Sequence, residues 1–167
     1  MRKISVPVAV IFGAILASVA QVIYFYPLLP DRVATHFGPD GRPDSWMSKD
    51  ACIAMNLIFV TVFAAFLSGT TTLIARLPNS AINLPNKEFW LAPERREQSL
   101  AWVRDQMQWM NAATLAFLVA VFQEVYRVNL LPDPRLGSSF FWTLLAFLAF
   151  TAVWSAGLVR RFRLPSE

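Results

Sequence analysis

Residues 6–29 read VPVAVIFGAILASVAQVIYFYPLL and contain no charged side chain. A transmembrane helix needs about 20 apolar residues, because the hydrocarbon core is about 30 Å thick and a helix rises 1.5 Å per residue. This stretch therefore predicts a first membrane span. The alternative is a signal peptide cleaved near Ser18–Ala20, since Arg2 and Lys3 precede the apolar run. The run continues well past these small residues, which favours a membrane helix.

Three further stretches have the same apolar character. The four predicted spans and the two longer loops are residues 6–29, 50–75, 110–131 and 138–159, with an outer loop at 30–49 and a cytoplasmic loop at 76–109. The chain is 56% hydrophobic and only 16% charged, whereas soluble domains average about 25% charged residues. This composition excludes an ordinary soluble domain and a disordered chain. We predict a single membrane domain over residues 1–167.

The distribution of Lys and Arg predicts how the spans are oriented. One side carries ten of these residues: Arg2, Lys3, Arg76, Lys87, Arg95, Arg96, Arg104, Arg160, Arg161 and Arg163. The other side carries five: Arg32, Arg42, Lys49, Arg127 and Arg135. Because positive loops stay in the cytoplasm, both termini are predicted to be cytoplasmic and residues 30–49 to face outward. The net charge of +4 then reflects topology, and no nucleic-acid partner is expected.

Small residues recur at four-residue spacing in the spans, as at Gly13 and Ala17 in the first and at Ala112, Ala116 and Ala120 in the third. Such spacing lets helix backbones approach closely in lipid. The predicted fold is an all-α integral membrane protein, a four-helix transmembrane bundle with a short outer-loop β-hairpin and an amphipathic cytoplasmic connector helix.

The outer loop supplies the predicted hairpin. Val33–Phe37 is rich in β-branched and aromatic residues, and Gly38–Gly41 has the proline and glycine of a turn. Ser48 is expected to cap the next helix. One histidine, His36, among turn-forming aspartates lacks the ligand spacing of a zinc site, and the single cysteine, Cys52, forms no internal disulfide. We therefore expect neither a metal nor a cofactor.

The cytoplasmic loop predicts a helix that begins at Pro93. Leu100, Val103 and Met107 recur at helical spacing while charged residues fall between them, which is typical of an amphipathic helix lying at the inner interface. Two interpretations are open: a membrane-lying connector, or a platform that docks a protein. The docking candidates are Asn86, Lys87, Trp90, Glu94 and Arg95.

Two motifs resemble a known family. The outer motif comprises Leu29–Arg32, Thr35–Phe37, Asp40–Gly41, Pro43–Asp44 and Ser48–Lys49, and the inner one comprises Leu84–Lys87 and Trp90–Arg96. Together they resemble a bacterial membrane domain of unknown function found at the N-terminus of SdpI-like toxin-immunity proteins. The resemblance implies an inner-membrane protein and protection against a secreted membrane-active toxin, coupled to signalling.

Ionisable and amide side chains inside the spans mark the candidate ligand site. Glu124 is costly within hydrocarbon, at ~2.5 kcal/mol or more, and Arg127 stands three residues later, within ion-pair reach on a helix. Gln21, Asn56 and Gln123 are predicted at a similar depth. These residues predict a polar layer in the outer leaflet. The loop residues His36 and Asp44 are expected just above this layer.

This polar layer has three interpretations: hydrogen bonds that hold the helices together, a pocket open to the outside, or a proton or ion path. We favour a non-enzymatic binding or accessory protein that engages a peptide, a lipid or a partner protein at its extracytoplasmic face, in toxin immunity or signalling. The alternative is a membrane-embedded hydrolase or transferase that modifies lipid. The expected partners are the lipid bilayer and a peptide or membrane protein, and an oligomer is compatible with the sequence.

Overall fold

The computed structural model describes residues 4–164. Its elements are α1 (Val6–Phe25), β1 (Arg32–Phe37), β2 (Pro43–Ser48), α2 (Lys49–Leu73), α3 (Lys87–Trp90), α4 (Pro93–Val128) and α5 (Ser138–Arg161), with single 3₁₀ turns at Ile74–Arg76 and Asn79–Ala81. Arg2 and Lys3, which entered the orientation argument, lie outside the described residues. The first helix ends before the predicted limit of the span because Pro27 follows closely.

Three of the helices are long and apolar enough to cross a membrane: Val6–Phe25, Lys49–Arg76 and Ser138–Arg161. The protein therefore has the character of a membrane protein. The third predicted span, residues 110–131, is not among them, since most of its residues belong to the much more polar helix α4. The structure also lacks the expected boundary near Met110, because connector and span form one helix of 36 residues. No proline or glycine lies between Glu94 and Val128 to interrupt it.

Helix α4 is the central element and packs against α1, α2 and α5. It runs parallel to α1, since Ser5 contacts Gln108 and Gln21 contacts Gln123. It runs antiparallel to α2, where Ser68 contacts Asn111. We call the end that carries the two strands the hairpin end and the opposite end the loop end.

The core is divided along the bundle axis. Beneath the strands, Phe25, Val33, Phe122 and Tyr126 belong to one buried cluster. A second cluster fills the middle of the bundle between α1, α2 and α4 around Leu115. No residue of α5 is buried, so this helix lies on the outside of the α1–α2–α4 core.

The predicted hairpin is confirmed. β1 and β2 pair antiparallel, with Val33 opposite Met47 and irregular register around His36. Ser48 caps α2 as predicted, because its Oγ accepts a hydrogen bond from the backbone N–H of Ala51 at 3.2 Å. Gly41 has φ of +76°, and a Cβ there would lie 2.8 Å from the carbonyl oxygen of Leu136. Only glycine satisfies both the turn and the close approach to the α4–α5 loop.

At the loop end, residues 77–92 fold back onto α4 and the end of α5. The buried side chains Ile82, Leu91, Leu100 and Phe162 pack together there. The carbonyl oxygen of Phe162 accepts hydrogen bonds from the side chains of Asn86 at 2.8 Å and Trp90 at 3.1 Å. The first turns of α4 are thus covered by the chain itself, where the sequence predicted a helix lying along the membrane surface.

Candidate functional site

A groove of about 560 Å³ opens at the hairpin end between β1, α4 and α5. Its walls are mainly apolar and are formed by Phe37, Val121, Val125, Phe140 and Phe141. It exists because α5 follows α4 only after a nine-residue connection, and the hairpin turn docks on that connection through Gly41. In the groove, residues of the predicted outer loop and of the predicted spans meet around an unfilled space.

His36 and Asp44 also line this groove. They face each other across the hairpin, and the imidazole Nδ1 donates to Oδ1 of Asp44. Both side chains are more than half exposed. Among residues 4–164 no group of three His, Cys, Asp or Glu side chains is placed to hold a metal ion. Because both side chains are exposed and line the groove, they form a polar rim at its edge.

Glu124 and Arg127 lie on the face of α4 that turns toward α5. Glu124 is 15% exposed, and its Oε2 accepts a hydrogen bond from Ser139 at 3.0 Å. Its Oε1 lies 3.7 Å from Nη1 of Arg127, whose side chain is 65% exposed. This distance is an ionic contact but is too long for a hydrogen bond. The guanidinium therefore keeps donors available for another acceptor.

The other residues of the predicted polar layer are directed elsewhere. Nε2 of Gln21 donates to Oε1 of Gln123 at 2.8 Å, on the side of α4 that packs against α1. Asn56 is fully buried, where it accepts from Ser18 at 2.9 Å and donates to the Tyr126 hydroxyl at 2.6 Å. The layer is thus three separate contacts. Asn56 joins the helices inside the core, the part-buried Gln21–Gln123 pair joins α1 to α4, and Glu124–Arg127 reaches the surface between α4 and α5.

At the hairpin end of the bundle, Tyr26 donates a hydrogen bond to Oδ1 of Asp50 at 2.9 Å. This hydrogen bond and the charge of Asp50 raise the pKa of Tyr26. The ammonium of Lys49 lies 4.8 Å from the centre of the same ring, which is within cation–π distance. The start of α2 is thereby tied to the end of α1.

Three of the five docking candidates at the loop end are engaged within the chain. Asn86 and Trp90 hold the carbonyl of Phe162, and Arg95 donates to the carbonyl of Phe89 at 2.8 Å. Lys87 is half-buried, and Glu94 is exposed. The aromatic cluster here is closed further by Arg161, which lies 4.6 Å from the ring centre of Trp90.

Sequence reasoning missed Asn129, which organises the hairpin end. Its side chain accepts from the backbone N–H of Ala34 at 2.7 Å and donates to the Ala34 carbonyl at 2.9 Å and to the Val125 carbonyl at 2.7 Å. The amide thus pairs with β1 as a neighbouring strand would. The only signal in the sequence is an asparagine where a span ends, which is a common helix-terminal residue.

Residues 13–68 match the family described as Domain of unknown function (DUF1648). The DUF1648 match runs from the middle of α1 through the hairpin to α2, and it stops before α4 and α5.

The chain is also similar to an uncharacterized protein from Archaeoglobus fulgidus, with 34% identity over 90 residues. The aligned region covers 49% of this chain and 49% of that protein, so the chain spans about half the length of the relative it matches. No solved structure matches the chain.

Proposed function

We propose that this protein is a non-enzymatic binding or accessory protein of a bacterial inner membrane, and that it holds an amphipathic ligand in the groove at its hairpin end. The observation that carries the proposal is the groove itself, whose walls of Phe37, Val121 and Phe140 suit an apolar segment. His36 and Asp44 supply polar contacts at its rim. Ligand sites in proteins commonly combine an apolar cavity with a few polar groups.

The proposal includes four membrane spans. The part of α4 between Met110 and Val128 packs between α1, α2 and α5, all of them apolar enough to span. Glu124 is then largely shielded from lipid by α5, whereas the exposed Arg127 lies one residue from the end of α4, where a long basic side chain can reach the interface. With the excess of Lys and Arg at the loop end, both termini are cytoplasmic and the hairpin faces outward.

Orientation is tested by labelling with a membrane-impermeant maleimide in intact cells. Cys52 is buried and is the sole cysteine, so Cys52→Ala gives a background for single cysteines at Trp46 and Glu94. We expect Trp46→Cys to react from outside and Glu94→Cys to react only after lysis. The reverse pattern overturns the orientation.

Ligand binding is tested by photocrosslinking in living cells, with a benzophenone amino acid at position 37 and, as a control, at the exposed Trp46 on the other strand. The captured molecule is identified by mass spectrometry. A peptide, protein or lipid adduct that forms at Phe37 and disappears in Val121→Trp supports the groove as the binding site. Val153→Trp, at a position 74% exposed on α5, is the matched control.

Two outcomes contradict the proposal. One is the absence of any adduct at position 37 beyond that at Trp46. The other is an adduct that is equally abundant in Val121→Trp and Val153→Trp, because the groove then has no part in capture.

The resemblance to the N-terminal domain of SdpI-like proteins extends the proposal to toxin immunity or signalling. In that role the groove would bind a secreted membrane-active peptide or the membrane lipid that such a peptide attacks. We expect cells expressing the protein to survive a membrane-active peptide toxin better than cells expressing Val121→Trp. Equal survival of the two strains contradicts the immunity role while leaving groove binding to the crosslinking result.

A further inference from the structure

A second, smaller and shallower cleft lies between α4 and α5, on the side of the groove toward the loop end. It has a volume of about 250 Å³ and is lined by small residues of α4 such as Ala116 and Ala120 and by Phe147 and Phe150 of α5. Phe117 stacks on Phe147 with ring centres 4.4 Å apart and planes 9° from parallel. This stacked pair holds the two helices apart, and the alanines are too short to fill the space.

The cleft adjoins the groove at the hairpin end. On α4, Ala120 lines the cleft and Val121, the next residue, lines the groove. On α5, Thr143 lines the cleft and Phe140, one turn earlier, lines the groove. The two spaces therefore adjoin along the α4–α5 interface.

The cleft selects the kind of molecule that can fill it. One turn of an α-helix of 10 Å diameter occupies roughly 400 Å³, so a partner helix could lie across the open side of the cleft but could not fill it. An extended peptide would leave its backbone N–H and C=O groups without partners in hydrocarbon. The Thr143 hydroxyl cannot serve as a donor to it, since it bonds to the Ser139 carbonyl at 3.0 Å. A hydrocarbon chain is narrow enough and needs no hydrogen bonds.

Two charged residues beyond the cleft specify the polar part of the molecule. Glu124 and Arg127 line neither space, and they stand about one and two turns beyond Ala120 on α4, toward the hairpin end. Ala113, Phe117, Ala120, Glu124 and Arg127 follow one another at three- and four-residue spacing and so share one face of α4. Arg127 can bind a phosphate through two N–H groups, and the Glu124 carboxylate can accept from an ammonium. The pair has no net charge, and it complements a zwitterion better than an anion.

We infer that the ligand of this protein is a zwitterionic phospholipid of the phosphatidylethanolamine type. One acyl chain lies in the α4–α5 cleft, the phosphate binds Arg127 and the ammonium binds Glu124. This inference rests on the proposed function, because it names the amphipathic ligand that the hairpin groove and the adjoining cleft would hold. A bound lipid would also cover one side of α5, a helix that has no buried residue.

The test measures lipid retention by the purified full-length protein. The delipidated protein in mild detergent is titrated separately with phosphatidylethanolamine and phosphatidylglycerol, and bound lipid is counted by native mass spectrometry. We expect one tightly bound phosphatidylethanolamine per chain, with at least about tenfold weaker binding of phosphatidylglycerol, the difference expected from one charge-assisted contact.

Four variants separate the chain site from the head-group site. Ala116→Leu fills the cleft and should weaken binding of both lipids about tenfold, whereas the matched Ala54→Leu, at an exposed position on α2, should not. Arg127→Gln should weaken both lipids, and because this side chain is largely exposed the variant keeps the fold. Glu124→Gln should abolish the preference for phosphatidylethanolamine while retaining lipid.

Several results overturn the inference. They are equal binding of the two lipids by the wild-type protein, equal retention by Ala116→Leu and Ala54→Leu, or unchanged binding in Arg127→Gln. If the photocrosslink at Phe37 still forms and is lost in Val121→Trp, such a result rules out the phospholipid as the ligand but leaves the proposed binding function. If no such crosslink forms at Phe37, the proposed binding function itself is wrong.

Discussion

Replacement of Asn129 by alanine should release the hairpin from the end of the bundle. The Asn129 amide satisfies both the N–H and the C=O of Ala34, and Ala34 has no exposed surface. Nothing in the strand pair replaces these bonds, because they lie on the edge of β1 that faces away from β2. In Asn129→Ala, β1 is left with two buried and unpaired backbone groups.

The loss of stability can be estimated from these two unpaired backbone groups. Each buried group left without a partner costs about 1–3 kcal/mol, so we expect a loss of about 2–4 kcal/mol of local stability once some water enters. At about 1.4 kcal/mol per tenfold change, this corresponds to roughly 30- to 700-fold more frequent opening of the hairpin. The helices should be less affected, since Val125 keeps a backbone bond from residue 129 at 3.3 Å.

Amide hydrogen exchange in lipid nanodiscs measures this opening residue by residue. We expect exchange at Val33–His36 to accelerate by the factor above while exchange within α2 changes little. Leu130→Ala, at an exposed neighbouring position, is the control. If Ala34 exchanges within about threefold of the wild-type rate, the reasoning that the amide acts as a third strand is wrong.

Three further predictions concern single contacts. Tyr126→Phe leaves the buried Asn56 amide without an acceptor and should lower the free energy of unfolding by about 0.6–1.7 kcal/mol. Unfolding in detergent micelles measures this loss, and equal stability of the two proteins contradicts the prediction. Gly41→Ala should cost about 1–3 kcal/mol, because the turn needs positive φ and the methyl would meet a carbonyl, whereas Gly157→Ala, with open space around it, should be neutral. Asp50→Asn should lower the pKa of Tyr26, read from phenolate absorbance. Since the folded-state pKa is raised, the contact stabilises the protein below about pH 10 and is lost as the phenol ionises; an unshifted titration in the variant contradicts this.

The hairpin was predictable because its signals are local. Gly38–Gly41 and the cap at Ser48 each involve residues within a few positions of one another, and the structure has both where the sequence indicates them. The contact of Asn129 with Ala34 joins residues 95 positions apart. No local sequence pattern around either residue indicates this contact, so it could not be predicted from the sequence alone.

The polar layer shows what depth along a helix leaves undetermined. Gln123 and Glu124 are neighbours in sequence and were predicted at one level, but successive residues of a helix point about 100° apart. Gln123 therefore meets α1 while Glu124 meets α5. Which neighbouring helix a side chain of α4 contacts depends on where the other helices pack. That packing is determined by residues throughout the chain and not by the local sequence of α4.

The unbroken length of α4 links the two ends of the molecule mechanically. Its 36 residues form a rod of about 54 Å, and a tilt of about 5° around its centre moves each end by about 2 Å. One end holds the strands through Asn129, and the other packs against Phe162 through Trp102. A lever of this kind converts a small displacement beside the hairpin into an opposite displacement at the far side, with no intervening hinge to absorb it.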